Sequence, residues 1–484
     1  MNVTLISVDQ ELYCIGVRLL SACLKQAGHR VRCVFMPAWP ERDKAKFHAT
    51  FSLKVLAEVQ LLCADADLIG FSLMTNQFLQ AACVTDYLKA HRITAPIIWG
   101  GIHPTVEPEA CLEHADIVCL GEGEEALLEL ADRMEHRCVY RDVRNLWLRV
   151  DEEIIRNPLR PLVQDLDALP LPDYSCQDHF LVKEGRVVAL TPKDLAQFEG
   201  ERFHAREQAI YYPVMTSRGC AFACTYCCNG VYKRLYPHQK RLRWRSVESV
   251  IRELKMIQQE VAPIHLVFMV DDNFTARTDR ELEAFCEHYR AEVGLPFACQ
   301  CSPLTINARK MEILLQAGCA KIVMGVETAS DRVAEMYNRR SLHKAVPAAI
   351  TLIEQYRSRM ALPPSYQFII DNPYETLSDT LQTLRLAVSL PRPWDNPIYS
   401  LMLFPGTPLY EKAAQDGLIQ DRVEQIYGKN WLDQSQPFFR FWVRLYRANI
   451  PPVFLRVLLW PWMARLMTSR VAHAFWRMGL VRWL

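Results

Sequence analysis

The chain has 484 residues, of which 50% are hydrophobic and 23% are charged, so it can bury a large core divided among about three domains. The formal net charge of +1 argues against a general nucleic-acid binder, because neutralising a phosphate backbone requires an excess of basic residues. No signal-peptide pattern follows Met1, and most of the 17 cysteines lie scattered in apolar runs, so we expect a cytoplasmic protein without disulfides or membrane-spanning helices.

The first 140 residues alternate apolar runs with helical patterns. The five predicted strands are residues 2–8, 31–36, 68–72, 96–100 and 117–120. The predicted helices between them cover residues 15–27, 54–63 and 77–91. This alternation is typical of an α/β fold and predicts a doubly wound, flavodoxin-like parallel sheet. Ligands of such sheets bind beyond the carboxyl ends of the strands.

Three strings lie at those strand ends: SLMT at 72–75, GGIHPT at 100–105 and GEGEE at 121–125. Glycines in such turns are common, and a domain without a ligand is the simplest alternative. Together, the strings resemble the cobalamin-binding domain that precedes many radical S-adenosylmethionine domains. The resemblance covers residues 1–140. The cobalamin contacts that it implies are Ser72, Thr75, Gly100, Gly101, His103, Gly121, Glu122 and Gly123.

The loop after the first strand bears on the cobalt ligand. In cobalamin mutases and methionine synthase, a D-x-H-x-x-G motif supplies a histidine to cobalt. Here Asp9 stands at the Asp position, Glu11 replaces the histidine and Gly16 is displaced. The resemblance therefore predicts that this loop gives cobalt no histidine, and it leaves the lower axial ligand open.

Residues 141–210 are predicted to be a connector that several prolines interrupt. Its string LDALPLPDY, at 166–174, predicts an extended segment and resembles the bridge between the two domains in the same family. We expect the second domain to begin after this connector.

A short stretch, SRGCAFACTYCCNG at 217–230, places Cys220, Cys224 and Cys227 at C-x3-C-x2-C spacing. Three thiolates on one loop can each bind a corner iron of a cubane cluster and leave the fourth iron open, as a catalytic centre requires. A closed four-ligand zinc site that includes Cys228 is a strained alternative. A disulfide would strain so short a loop.

With Tyr226 before its last cysteine, this loop resembles the cluster loop of the radical S-adenosylmethionine enzymes. The resemblance implies a [4Fe–4S] cluster whose open iron chelates S-adenosylmethionine. Reductive cleavage of S-adenosylmethionine then yields a 5'-deoxyadenosyl radical, and an electron donor such as flavodoxin or ferredoxin is implied with it.

Six β-α repeats follow over residues 211–416 and predict a partial (β/α)6 barrel of the TIM type, with its chemistry at the carboxyl ends of the strands. The predicted strands are residues 212–216, 265–270, 297–301, 321–325, 366–370 and 398–403. The predicted helices are residues 247–260, 279–292, 308–317 and 344–355.

Polar residues at those strand ends are the candidate contacts of S-adenosylmethionine, although any one carboxylate there can be a helix cap or a solvated loop end. The contacts that the resemblance implies are Tyr226, Asp272, Asn273 and Glu327. Asp371 stands where a glycine often follows the fifth strand. Cys301 is predicted to be a packed core thiol, with hydrogen donation to a substrate radical as the alternative. We assign no catalytic residue.

Residues 417–484 are predicted to be a basic, aromatic-rich helical tail. From Gln434 to Leu484 there is no acidic residue, but there are eight arginines and eleven aromatic residues. One interpretation is a cap that packs on the barrel. The favoured one is a segment that lies on the inner face of the membrane, in the headgroup plane, which also suggests a lipid-like substrate.

Cobalamin upstream of a radical generator predicts an enzyme that methylates an unactivated carbon through the 5'-deoxyadenosyl radical and methylcobalamin. The alternative with the same cofactors is a non-methylating rearrangement or oxidative cyclisation of a lipid-like or tetrapyrrole substrate. A non-catalytic cobalamin sensor is a third hypothesis, but sensing does not require an open iron. The substrate is expected to be a small or lipid-like molecule.

Overall fold

The computed structural model describes residues 1–37, 51–151, 153–195, 211–260, 264–432, 434–469 and 472. Within these residues the chain forms two large sheets covered by helices and one short two-stranded ribbon. One buried cluster of apolar side chains runs from the first sheet through the second to the C-terminal helices, so the two halves share a core.

The first sheet has nine strands in the order β7-β6-β5-β4-β3-β1-β2-β8-β9. The strands are β1 Asn2–Ser7, β2 Arg30–Phe35, β3 Leu68–Ser72, β4 Ile97–Gly100, β5 Ile117–Cys119, β6 Leu146–Val150, β7 Glu153–Arg156, β8 His179–Lys183 and β9 Arg186–Ala189. Strands β1 to β5 are mutually parallel, as the strand–helix alternation predicts. The helices on its faces are Ile15–Gln26, Leu53–Cys63, Phe78–Ala90, Ile102–Val106, Pro108–Cys111 and Glu124–Glu135.

The predicted connector contributes four strands to this sheet. Strands β6 and β7 pair antiparallel beyond β5, and the hairpin of β8 and β9 extends the other edge beyond β2. Glu184 and Gly185 turn the second hairpin with φ of 51° and 73°, and two such positive φ values are typical of a tight hairpin. The string at 166–174 forms only a 3-10 turn, Leu166–Ala168, and residues 196–210 lie outside the described part of the chain.

The second sheet has six parallel strands whose spatial order follows the chain, which confirms the partial barrel. Its strands are β10 Tyr211–Val214, β13 Leu266–Met269, β14 Phe297–Cys301, β15 Cys319–Glu327, β16 Ser365–Ile370 and β17 Ile398–Ser400. The ribbon pairs β11 Ser217–Arg218 with β12 Arg243–Trp244. The helices of this half are Cys228–Leu235, Val247–Glu260, Asp279–Glu292, Ala308–Gln316, Asp331–Met336, Arg340–Gln355, Leu377–Ser389 and Pro408–Gln415.

The tail is partly a cap on the barrel. It forms a π-helical turn at Val423–Tyr427 and the helices Pro437–Arg447, Pro452–Leu458 and Pro461–Met467. Trp442 and Tyr446 are buried, and the Tyr446 ring stacks on Trp394 at 4.5 Å. Five apolar side chains of the last two helices and of the turn between them remain exposed: Val453, Phe454, Trp460, Trp462 and Leu466. No helix in the described ranges is long and apolar enough to cross a membrane.

Candidate active site

The two halves meet at a cavity of about 340 Å³, which residues from the carboxyl ends of both sheets line. Seven residues predicted to contact cofactors come together there: Ser72, Gly100, Gly101, Gly121, Glu122, Gly123 and Asp272. The ribbon and the cluster loop add Arg218, Gly219, Cys228 and Asn229 to the wall. Residues at the carboxyl ends of the strands, where ligands of parallel sheets bind, therefore surround one cavity and come from both predicted domains.

Glycine backbone forms much of the wall from the first sheet. Gly101 has φ of +97°, and a Cβ at this position would lie 2.7 Å from the Leu73 carbonyl oxygen. Gly121 has φ of +73°, and a Cβ there would overlap the Tyr236 hydroxyl. Only glycine allows these turns, so the wall is smooth and a large ligand can approach the backbone closely. With the apolar side chains of Leu5, Val17, Leu20, Phe71, Ile98 and Leu127 beside them, these turns fit cobalamin.

Two residues predicted to contact cobalamin are not among those that line the cavity. Thr75 is 2% exposed in a 3-10 turn, and His103 is fully buried in the helical turn Ile102–Val106. The His103 ring packs edge-on against Phe78 and Tyr427. Burial, together with the nearby Arg422, lowers the pKa of His103 to about 4, so its ring is neutral. The cobalamin contacts of both residues stay a prediction.

Glu122 joins the two halves as well as lining the cavity. Its carboxylate accepts hydrogen bonds from Arg218 Nη1 at 2.9 Å, from Arg243 Nη2 at 2.8 Å and from the Val163 backbone N–H at 2.8 Å. Burial alone would raise the pKa of Glu122, but hydrogen bonds and charge attraction from the two guanidinium groups lower it. Glu122 is therefore an ionised link between the domains. No sequence pattern indicated that Arg218 and Arg243 reach this residue.

The cluster loop leaves the ribbon at Gly219, whose φ is +86°, and ends where Cys227 caps the helix Cys228–Leu235. Cys224 is 7% exposed, and the Cys227 backbone N–H donates to its carbonyl oxygen at 3.2 Å. Cys228 starts the helix and lines the cavity. The start of the helix therefore places Cys227 and Cys228 side by side, and their side chains are within hydrogen-bond contact.

The donor set fits a cubane cluster better than a single metal ion. In the described ranges, no three or more His, Cys, Asp or Glu side chains converge on a position where one ion would bind. A cubane needs each thiolate at a different iron, so separate sulfurs suit it, whereas a closed zinc site needs four ligands at one ion. Burial raises the pKa of the free Cys220 thiol to about 11, so its thiolate would form as iron binds.

Three polar residues lie on the barrel side of the loop: Tyr226, Asp272 and Glu327. Glu327 ends β15 with φ of +70°, and burial raises the pKa of its carboxyl group, although Arg339 and Tyr226 act in the opposite direction. Asp272 lines the cavity. Desolvation by the surrounding protein raises the pKa of its carboxyl group, although a hydrogen bond from Asn229 acts in the opposite direction. These carboxyl groups, with the Tyr226 ring, are suitable oxygen acceptors and packing surfaces for S-adenosylmethionine.

Asn273 differs from its neighbour Asp272. It is 2% exposed, and its side-chain oxygen accepts hydrogen bonds from Thr305 at 2.9 Å and Thr275 at 3.1 Å. These contacts lie within the barrel wall, so its predicted contact with S-adenosylmethionine remains a prediction.

Two further residues noted in the sequence, Asp371 and Cys301, lie at the ends of barrel strands. Asp371 has φ of +67°, a conformation that favours the glycine often found there, and its carboxylate accepts from Ser400 at 2.9 Å and the Ser435 N–H at 2.6 Å. Cys301 is 5% exposed in β14, as a packed core thiol should be.

Comparisons with known proteins agree with this arrangement. A family model of the B12 binding domain matches residues 1–131, and one of the Radical SAM superfamily matches residues 214–387. The chain is 26% identical over 359 residues to the uncharacterized methyltransferase PH0819 of Pyrococcus horikoshii, across 73% of this chain and 71% of that protein. It is 22% identical over 485 residues to the anaerobic magnesium-protoporphyrin IX monomethyl ester cyclase of Synechocystis sp., across 97% of this chain and 84% of that one.

The fold is also similar to a solved structure. It matches the radical S-adenosylmethionine methyltransferase TsrM from Kitasatospora setae with a TM-score of 0.63 and 16% identity, across 86% of this chain and 76% of that one. At this identity the likeness shows a shared fold. Together with the two domain matches and the donor sets described above, it confirms a [4Fe–4S] cluster, S-adenosylmethionine and cobalamin as the cofactors. The chain belongs to the cobalamin-binding radical S-adenosylmethionine enzymes.

Proposed function

We propose that this enzyme transfers a methyl group to an unactivated carbon of a small or lipid-like molecule. The observation that carries the proposal is the single cavity on which the glycine turns of the B12-binding domain and the start of the helix after the cluster loop converge. When bound, the cofactors supply a radical that removes hydrogen and a methyl group carried on cobalamin. A shared cavity lets one substrate carbon lie near both.

The residues of the chain would position the reactants and exclude water. Glu122, held by Arg218 and Arg243, keeps the two walls of the cavity together. The apolar wall, which includes Val17, Phe71 and Ile98, keeps water from a radical that would react with it. Relatives support methylation, since PH0819 of Pyrococcus horikoshii is named a methyltransferase.

A second candidate function has one observation in its favour. The alignment with the Synechocystis cyclase spans 97% of this chain, further than the alignment with PH0819. Oxidative cyclisation with the same cofactors is therefore the alternative, although the identity is lower at 22%.

The two reactions consume S-adenosylmethionine differently, and this decides between them. Anaerobically reconstituted enzyme would be incubated with dithionite, a small-molecule and lipid extract, and S-adenosylmethionine deuterated in its methyl group. Methylation should yield 5'-deoxyadenosine and S-adenosylhomocysteine together, and a product that carries the deuterated methyl. The Cys224→Ala variant should yield neither. If 5'-deoxyadenosine forms with the extract but no label enters any product, methyl transfer is wrong.

We further propose that cobalt receives no histidine from this chain. No histidine is among the described residues that line the cavity, and Glu11 occupies the position that the histidine-bearing motif would use. Electron paramagnetic resonance of the cob(II)alamin form should show no nitrogen splitting from a protein imidazole. Such splitting, if it disappears in His103→Gln, would identify His103 as the ligand.

The setting of the reaction is also proposed. A reduced flavodoxin or ferredoxin would supply electrons in the cytoplasm. The exposed side chains Val453, Phe454, Trp460, Trp462 and Leu466 would lie in the headgroup region of the inner membrane face. Two exposed arginines of the same helices, Arg456 and Arg465, supply attraction to anionic lipids.

A further inference from the structure

The turn at residues 337–339, which follows the helix Asp331–Met336, forms hydrogen bonds with the cluster loop. Thr225 of the loop donates its backbone N–H to the Tyr337 carbonyl oxygen at 3.2 Å and its hydroxyl to the Met336 carbonyl oxygen at 2.8 Å. From the turn, the Asn338 side-chain amide donates to the Ala223 carbonyl oxygen at 3.0 Å. These bonds fix the backbone on both sides of Cys224, the middle ligand.

Arg339, the next residue of the turn, reaches the ligand sulfur itself. Its Nη1 donates to Cys224 Sγ at 3.4 Å, and its Nη2 donates to the Gly325 carbonyl oxygen at 2.8 Å. Arg339 is 8% exposed, so little water screens its charge. The Glu327 carboxylate lies 3.7 Å from the guanidinium, which is within ion-pair distance but beyond a hydrogen bond. The hydrogen bonds of the guanidinium therefore go to the cluster loop and to β15.

The three cluster cysteines consequently have different surroundings. Cys224 faces a buried cation, whereas the Cys227 sulfur contacts uncharged groups, the Asn229 amide at 3.7 Å and the Cys228 thiol. Reduction adds one negative charge to an iron–sulfur cluster, and hydrogen bonds to its sulfurs and nearby charges set the potential at which this happens. A cation at one ligand sulfur stabilises the reduced cluster more than the oxidised one.

We propose that Arg339 is a positioning residue that orients Cys224 and raises the reduction potential of the cluster. The electron comes from the external donor, and Arg339 itself gains or loses neither electron nor proton. The inference depends on the cluster and not on methyl transfer, so it is tested without substrate.

The test compares Arg339→Gln, Arg339→Lys and the matched control Arg340→Gln. Arg340 is the adjacent arginine, but it is 64% exposed and pairs with Glu335. Each protein is reconstituted anaerobically and its iron is counted. The midpoint potential is measured by titration with dithionite, monitored by electron paramagnetic resonance.

Arg339→Gln should keep about four irons and shift the midpoint to lower potential. Arg339→Lys keeps the charge but cannot reach both acceptors, so its potential should lie between those of Arg339→Gln and the unmodified enzyme. Arg340→Gln should not shift it. An unchanged or higher potential in Arg339→Gln overturns the proposal. If Arg339→Gln holds no cluster, the midpoint potential of Arg339→Lys tests the proposal. A potential equal to that of the unmodified enzyme would overturn it and leave Arg339 only a structural role.

Discussion

The two walls of the cavity hold their ligands by opposite means. The wall from the first sheet combines backbone exposed by glycines, such as Gly101 and Gly121, with apolar side chains. The wall from the barrel side presents polar side chains: the Cys228 thiol, the Asp272 carboxyl group and the arginines Arg218, Arg241 and Arg243. A large preformed cofactor can be held by shape, whereas a metal cluster and a cleavable co-substrate need donor atoms. Cobalamin binding at the first wall should therefore be lost when atoms are added to the glycines. Binding of the cluster on the barrel side should be lost when donor atoms are removed.

The largest effect is expected from the donor wall. Replacement of Cys220, Cys224 or Cys227 by Ala should reduce the iron content from about four per chain towards zero and abolish 5'-deoxyadenosine formation, because each thiolate holds one iron. Cys228→Ala, which changes the adjacent thiol, is the control and should keep the cluster. If Cys228→Ala loses iron and Cys227→Ala keeps it, the ligand assignment is wrong.

The glycine wall should fail when a methyl group is added. Gly121→Ala places a Cβ against the Tyr236 hydroxyl and a side chain at φ of +73°, so we expect cobalamin binding to be lost. Gly185→Ala is the matched control: it has the same φ of +73°, but nothing lies within 4 Å of its Cβ. Cobalamin uptake is read from the visible spectrum. Equal uptake by both variants would mean that the wall at Gly121 does not contact the cofactor.

Where the walls meet, the expected effect is on stability. Glu122→Gln removes the carboxylate that Arg218 and Arg243 share, and although Arg218 keeps its ion pair with Glu124, Arg243 loses its carboxylate partner. Loss of one partner of a buried ion pair costs about 3 kcal/mol of the free energy of unfolding. The folded-state pKa of Glu122 is lowered, so its stabilisation is present above the ordinary glutamate pKa and is lost as the pH falls through the folded value. The difference from the unmodified enzyme should therefore be full at neutral pH and shrink in acid.

Urea unfolding at several pH values measures this difference. Glu125→Gln is the control, because that carboxylate is 57% exposed and lies 3.5 Å from Arg160. A Glu122→Gln variant as stable as the control would show that Glu122 does not hold the halves together.

The smallest effect is expected from the exposed side chains of the tail. Truncation after Tyr427 would remove Phe438 and Trp442 from the shared core, so loss of membrane binding would not be informative. The double substitution Trp460→Ser and Trp462→Ser alters only exposed rings. It should weaken binding to anionic liposomes about tenfold, or ~1.4 kcal/mol, and added salt should weaken it further.

Trp431→Ser is the control for the tail, since Trp431 is 37% exposed and lies outside these helices. Full-length enzyme that does not bind anionic liposomes at low salt would contradict the membrane proposal.

Local patterns determined a large part of this protein. The periodicities of apolar residues predicted helices such as Asp279–Glu292 and strands such as Phe297–Cys301 with the observed bounds. The C-x3-C-x2-C spacing predicted the cluster loop, because the three cysteines lie within eight residues of one another. Features of this kind depend on backbone geometry and neighbouring side chains, which a short stretch of sequence contains.

Contacts between distant residues were decided only by the tertiary structure. Arg339 reaches Cys224 from 115 positions away, and Arg243 reaches Glu122 from 121 positions away. The strands β6 to β9, the two outermost strands on each side of the first sheet, were not predicted from the proline-interrupted sequence, because a short strand depends on its neighbouring strand more than on a pattern of its own. The tail was divided into a buried cap and an exposed face by the barrel surface on which it packs. The basic, aromatic composition of the tail is compatible with a buried cap and with an exposed face, because burial of a side chain depends on its neighbours in the tertiary structure.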